Sequence, residues 1–196
     1  MKKDNSFLMA LLAAVLLTVI VILIVEARDY RRNLEAVPDY VDVALIALDG
    51  EARSGLPLNE VRNIVIHYTG NPGAAAGKIR DYCNERDAHA APHFIIGLEG
   101  EIIQCIPLNE KASASNERNG DSLSIEVCHR DESGEFTKES YAALVKLTAW
   151  LCGKYGLTEN SVIRHYDITG KECPLCFVEN ENAWQEFKAD VRENIQ

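Results

Sequence analysis

Two histidines in this chain stand where a side chain can leave a core and meet a ligand. His67 follows the β-branched run Ile64-Val65-Ile66, and His165 comes just after Val162-Ile163. Each run reads as a short buried strand that opens into a loop. Cys173 follows His165 across a loop containing Gly170. Two imidazoles and one thiolate make a three-ligand set with a fourth position open, the arrangement of catalytic rather than structural zinc. Zinc held this way lowers the pKa of bound water to about 7 and polarises a carbonyl. A lone histidine at a strand end is more often structural than a ligand, so on spacing alone both readings stand. His89, His93 and His129 are read as structural; His93, just ahead of a predicted strand, is a cleft-lining or structural residue and not a ligand. Cys173-Pro174-Leu175-Cys176 also has the spacing of a thiol-disulfide pair. Such a pair should open a helix directly after a strand, which lowers the thiol pKa. Here it follows a loop, and Cys176 reads as a spare thiol.

These groups need a scaffold, and the hydrophobic pattern supplies one. Ala74 to Glu85 is a helix candidate, and Phe94–Ile96 and Ile102–Ile106 flank Glu99-Gly100 as a hairpin. In Ser122 to Cys128, Leu123, Ile125 and Val127 fall on one face, and Ser124 and Glu126 on the other. Thr137 can cap a helix that runs to Tyr155, with Tyr141, Leu144, Val145, Thr148, Leu151 and Cys152 inward and Gly156 ending it. Trp184 to Val191 closes the chain as an amphipathic helix. Strands interleaved with helices predict an α/β domain with a central mixed β-sheet flanked by helices, over residues 38–196. Of the six cysteines, Cys105, Cys128 and Cys152 have apolar neighbours and read as small buried hydrophobes.

The N-terminal part differs in kind. Phe7 to Val25 is apolar without interruption and would span roughly 28 Å as a helix, close to the ~30 Å hydrocarbon core. Residues 7–25 are therefore expected to be a transmembrane helix, with 26–37 as a juxtamembrane linker. Lys2 and Lys3 before it and Arg28, Arg31 and Arg32 after it leave the orientation undecided; a cleaved signal is the alternative. Either way the domain is expected outside the cytoplasm, in the anchored case as a single-pass protein of the bacterial cell membrane. The net charge of −10 and pI near 5.0 argue against a nucleic-acid partner, because an acidic surface releases no counterions from phosphates.

The segments Ile64-Val65-Ile66-His67-Tyr68-Thr69-Gly70-Asn71-Pro72-Gly73 and Arg164-His165-Tyr166-Asp167-Ile168-Thr169-Gly170-Lys171-Glu172-Cys173-Pro174 closely resemble the N-acetylmuramoyl-L-alanine amidase type 2 family. That family includes peptidoglycan recognition proteins, phage amidase lysozymes and autolysins of spore formers. Ser124 to Cys128 is similar to its central strand, and Pro92 to Ile96 to its His-aromatic strand. The resemblance implies a Zn2+ hydrolase that cuts the amide between N-acetylmuramic acid and L-alanine in peptidoglycan. It implies His67, His165 and Cys173 as the zinc ligands and Lys171 as the cation facing the oxyanion. Glu126 is implied as the carboxylate that orients or deprotonates the attacking water, and Thr69 and His93 are expected beside the substrate. Many relatives carry Tyr where this chain has Pro92, which shifts the expected catalytic weight to Glu126. Ser113-Ala114-Ser115 stands where many carry Trp-His, which alters the expected substrate contacts and leaves the metal set intact. A non-catalytic peptidoglycan-binding module is the alternative; such modules usually lose the cysteine ligand, and Cys173 is present.

Overall fold

The computed structural model of the chain describes residues 2–33, 36–48 and 50–196, with side chains of the N-terminal helix described over 8–24. Two compact units divide it, Met1–Ala36 and Val37–Gln196. The first is a single helix, α1 (Lys2–Asn33), which continues through 26–33, where a linker was expected. Its described side chains, 8–24, are all exposed. Among the described residues no helix is long and apolar enough to cross a membrane. That overturns the transmembrane anchor, and with it the single-pass membrane location and the membrane as a partner. Phe7 and Val25, the ends of the expected span, have side chains outside the described residues, as do Lys2, Lys3, Arg28, Arg31 and Arg32, which left its orientation undecided.

In the second unit β1 (Val41–Val43), β2 (Asn63–Tyr68), β3 (Phe94–Ile96), β4 (Ile102–Gln104), β5 (Ser122–Val127) and β6 (Val162–Arg164) form one six-stranded sheet. The strand order is β1-β4-β3-β5-β2-β6. Only β3 and β4 pair antiparallel, as the expected hairpin; the other neighbours are parallel. Gly100 turns that hairpin at φ 84°, and a Cβ there would lie 2.9 Å from the Glu139 carbonyl oxygen. The position therefore needs glycine twice over. The mixed sheet with flanking helices is the α/β architecture expected.

Both faces of the sheet are covered, which is why β2 and β3 read as nearly continuous apolar runs, while β5 alternates. Ile64, Ile66, Phe94, Ile96, Leu123, Ile125 and Val127 pack on one face with helices α3 (Lys138–Tyr155) and α6 (Glu181–Asn194). Ile95 faces the other way, in a cluster with Ala76 and Cys83 of α2 (Ala76–Cys83). Thr137 caps α3 as predicted, accepting from the Ser140 N–H at 3.0 Å, and Gly156 ends it at φ 65°. A cap of this kind contributes about 1 kcal/mol. Cys105, Cys128 and Cys152 are fully buried, as their apolar neighbours implied.

Among the described residues the segment between β1 and β2 has no strand or helix of its own, and a buried ion pair helps to hold it to the loop after β4, beside backbone bonds from Leu58 to Asn109 and from Lys111 to Leu56. Arg53 Nε and Nη2 donate to the two Glu110 carboxylate oxygens at 2.7 Å, and Nη1 donates to the Ile46 carbonyl. Replacing Arg53 by methionine removes both of these bonds to the buried carboxylate. The expected cost is about 3–5 kcal/mol of unfolding free energy, read from the midpoint and slope of a urea titration. A loss within 1 kcal/mol, by the ~0–1 kcal/mol worth of exposed pairs, would mean that Glu110 finds water instead.

Candidate metal centre

Alternation along the strands decides where the chemistry collects. β2 and β5 run parallel with His67 beside Glu126, so the two side chains rise from the same face. His67 is buried at the end of β2, and Glu126 is half-buried beside it. β5 is an interior strand, so Glu126 is not an edge-strand surface charge. His165 sits directly after β6, as expected, but opens a short helix, α4 (His165–Thr169), where a loop was expected. Its ring lies 4.6 Å from that of His67, centroid to centroid, tilted by 53°. Cys173 is buried, with Sγ 3.9 Å from His67 Nδ1. One ligand atom from each of His67, His165 and Cys173 lies within 4.8 Å of the others, which makes a possible metal site.

The segments carrying His165 and Cys173 are tied to each other. The Tyr166 N–H donates to the Cys173 carbonyl at 2.9 Å, and Gly170 makes the left-handed turn between them at φ 75°. Arg164, next to His165, is the knot. It donates to Asp167 at 2.9 Å, to Glu181 at 2.8 Å and to the Phe177 carbonyl at 2.9 Å. Phe177 lies on α5 (Leu175–Glu179), just past Cys173, and stacks on Phe187 with centroids 5.2 Å apart. The Cys173 loop is thereby anchored in the aromatic core. Sequence reading passed over Arg164; a charged residue closing an otherwise apolar strand beside a candidate ligand was the available signal.

Lys171 is exposed and lines a cleft of about 430 Å³ together with His67, His165, Cys173, Glu126 and Asn116. Ala90, Ala91, Ser113 and Ala114 also line it. Ser113 and Ala114, in the segment where the resemblance implied Trp-His, thus present small side chains to the cleft. Ser113 Oγ is itself used, donating to the Ala52 carbonyl at 2.7 Å. Thr69 follows β2 and accepts from the Asn71 N–H, outside this lining. His93 is not at the cleft. It is fully buried, with Nδ1 3.2 Å from Ser124 Oγ and Nε2 2.9 Å from the Glu110 carbonyl. That is the structural half of its expected reading. Cys176 lines a different cavity, with Phe136 and Tyr141, while Cys173 is turned to the histidines.

The electrostatics suit neutral imidazole donors. Burial, with His165 and Lys171 nearby, lowers the His67 pKa to about 3, and burial and Lys171 also lower that of His165. Both imidazoles are thereby kept neutral, their ligand form. Burial raises the Cys173 thiol to about 11, against the Tyr68 N–H and Lys171, which lower it; a coordinated cation would reverse that balance. His165 Nδ1 is buried with no hydrogen-bond partner, which a coordinate bond would satisfy. The donor set and this orphaned nitrogen fit a zinc ion. Burial also raises the Glu126 carboxyl to about 7, partly offset by Lys171.

The sequence profile of the N-acetylmuramoyl-L-alanine amidase family matches residues 57–176, a stretch that contains the site whole. The chain belongs to that family. The amidase CwlL of Bacillus licheniformis is 35% identical over 157 residues, covering 71% of this chain and 43% of CwlL. The amidase BlyA of Bacillus subtilis (strain 168) is 33% identical over 171 residues, covering 76% of this chain and 46% of BlyA. The chain thus spans less than half the length of these relatives. The solved catalytic domain of XlyA superimposes with a TM-score of 0.68 at 27% identity, covering 77% of this chain and 98% of that domain. The family resemblance seen in the His67 and His165 segments is borne out.

Proposed function

We propose that this amidase-family chain is a zinc-dependent N-acetylmuramoyl-L-alanine amidase acting on peptidoglycan through the unit Val37–Gln196. The convergence of His67, His165 and Cys173 within 4.8 Å, inside the family-matched region, carries the reading. His67, His165 and Cys173 would hold the ion, which when bound supplies Lewis acidity toward a carbonyl oxygen and toward water. Glu126, with a carboxyl pKa of about 7, is poised to take a proton from the attacking water. It later returns one to the leaving amine of L-alanine. The Lys171 ammonium, on the cleft wall, faces the negative charge that grows on the lactoyl oxygen as the carbonyl becomes tetrahedral. Thr69, just after β2 and outside the cleft lining, is kept as a contact for the part of the muramyl peptide that extends beyond the cleft. His93, in the core, supports the sheet beneath Glu126 through Ser124.

The test uses the whole chain with muramyl tripeptide, with and without a zinc chelator, and mass spectrometry of the products. Free peptide beginning at L-alanine is expected, lost on chelation and restored by zinc. A folded, zinc-loaded protein that releases no peptide would leave the binding-module reading in its place.

A further inference from the structure

Both histidines of the metal centre are held from behind by consecutive residues of one loop, and neither of these belongs to the family-implied machinery. His67 Nε2 lies 3.2 Å from Ser115 Oγ, and His165 Nε2 lies 2.8 Å from Asn116 Oδ1. An amide oxygen only accepts, so His165 carries its hydrogen on Nε2 and presents the lone pair of Nδ1. Nδ1 is the buried atom that has no partner. Asn116 holds an unusual backbone: at φ 50° it has the only positive φ among described non-glycine residues. Asparagine tolerates this left-handed region better than most residues, and glycine better still. A left-handed turn alone would therefore be served at least as well by glycine.

The loop is tied down by its own hydrogen bonds. Ser115 is buried, and its N–H donates to Asn119 Oδ1 at 2.7 Å. The one-turn 3-10 helix Asn116–Gly120 is pinned by Arg118, which donates to Asp121 at 2.8 Å and also to Asn63 at the start of β2. Resting on the metal reading above, we propose that Asn116, assisted by Ser115, is a positioning residue for the metal centre. Its side-chain oxygen selects the tautomer and ring plane of His165, so that Nδ1 faces His67 and Cys173, and its left-handed backbone is what brings that oxygen into reach. Outer partners of this kind typically set 10–100-fold in metal affinity.

The experiment compares zinc affinity of the full-length chain with those of Asn116→Gly and Asn116→Asp, by competition against a colorimetric chelator. The visible spectrum of the cobalt-substituted proteins reports ligand geometry in parallel. Asn116→Gly keeps the turn and removes the acceptor; it is expected to bind zinc about 10–100-fold more weakly, with an altered cobalt spectrum and an undiminished Tm. Asn116→Asp restores an acceptor and is expected to bind like the unsubstituted chain. If Asn116→Gly binds zinc as tightly as the unsubstituted chain, or Asn116→Asp as weakly as Asn116→Gly, the positioning role is wrong. Failure of the unsubstituted chain itself to bind zinc would instead overturn the metal reading on which the proposal rests.

Discussion

Cys173→Ser is expected to lose both its metal and its activity while keeping its fold. The thiolate is the one anionic donor among the three candidate ligands, so its removal leaves two neutral imidazoles to hold a dication. A serine hydroxyl stays protonated at neutral pH and offers a poor substitute. Loss of the Lewis acid is worth several kcal/mol at the transition state, which is a fall in turnover of about 10²–10⁴-fold. The side chain is small and buried, and the loop around it is held by Arg164, Phe177 and the Tyr166 N–H, so the circular dichroism spectrum should be retained. Metal content after dialysis and kcat on muramyl tripeptide check both halves. A variant with full zinc and full turnover would remove Cys173 from the ligand set.

Glu126→Gln separates chemistry from metal binding. The substitution keeps size and shape, so the packing of β5 against β2 and β3 is preserved. The amide cannot take up a proton, and general-base assistance is typically worth 10²–10⁴-fold. A kcat lower by about that factor is expected, with zinc content unchanged and KM little altered. Loss of zinc along with turnover would make Glu126 a prop for the site. Undiminished kcat would hand the proton transfer to another group.

Much of the fold was legible because its periodicities are strong. The alternation of Leu123, Ile125 and Val127 with Ser124 and Glu126 had one interpretation as a strand, and the structure places the two sets on opposite faces as read. Thr137 and Gly156 bracket α3 because capping chemistry is local. Less local features escaped. β1 is three residues long, too short to carry a pattern, and exists because Val41 pairs with Ile102 at the far edge of the sheet. The apolar run near the N-terminus was read from its length and its lack of charge, and among the described residues no helix is long and apolar enough to cross a membrane.

By itself, the sequence determined the family, the α/β class and the candidate donors, since these rest on residue types at fixed spacings within single segments. The mutual arrangement of the donors was a tertiary matter. His67 and Cys173 are far apart along the chain and meet only because β2 pairs with β6, whose end carries α4 and the Cys173 loop. Tertiary structure also sent His93 into the core: its ring nitrogens find Ser124 and the Glu110 carbonyl, neither recognisable as a partner before the strands pair. Ser115 and Asn116 carry no motif of their own. They became visible only when the chain folded back to set their oxygens behind two imidazoles, because a hydrogen bond depends on distance in space and not on separation in sequence.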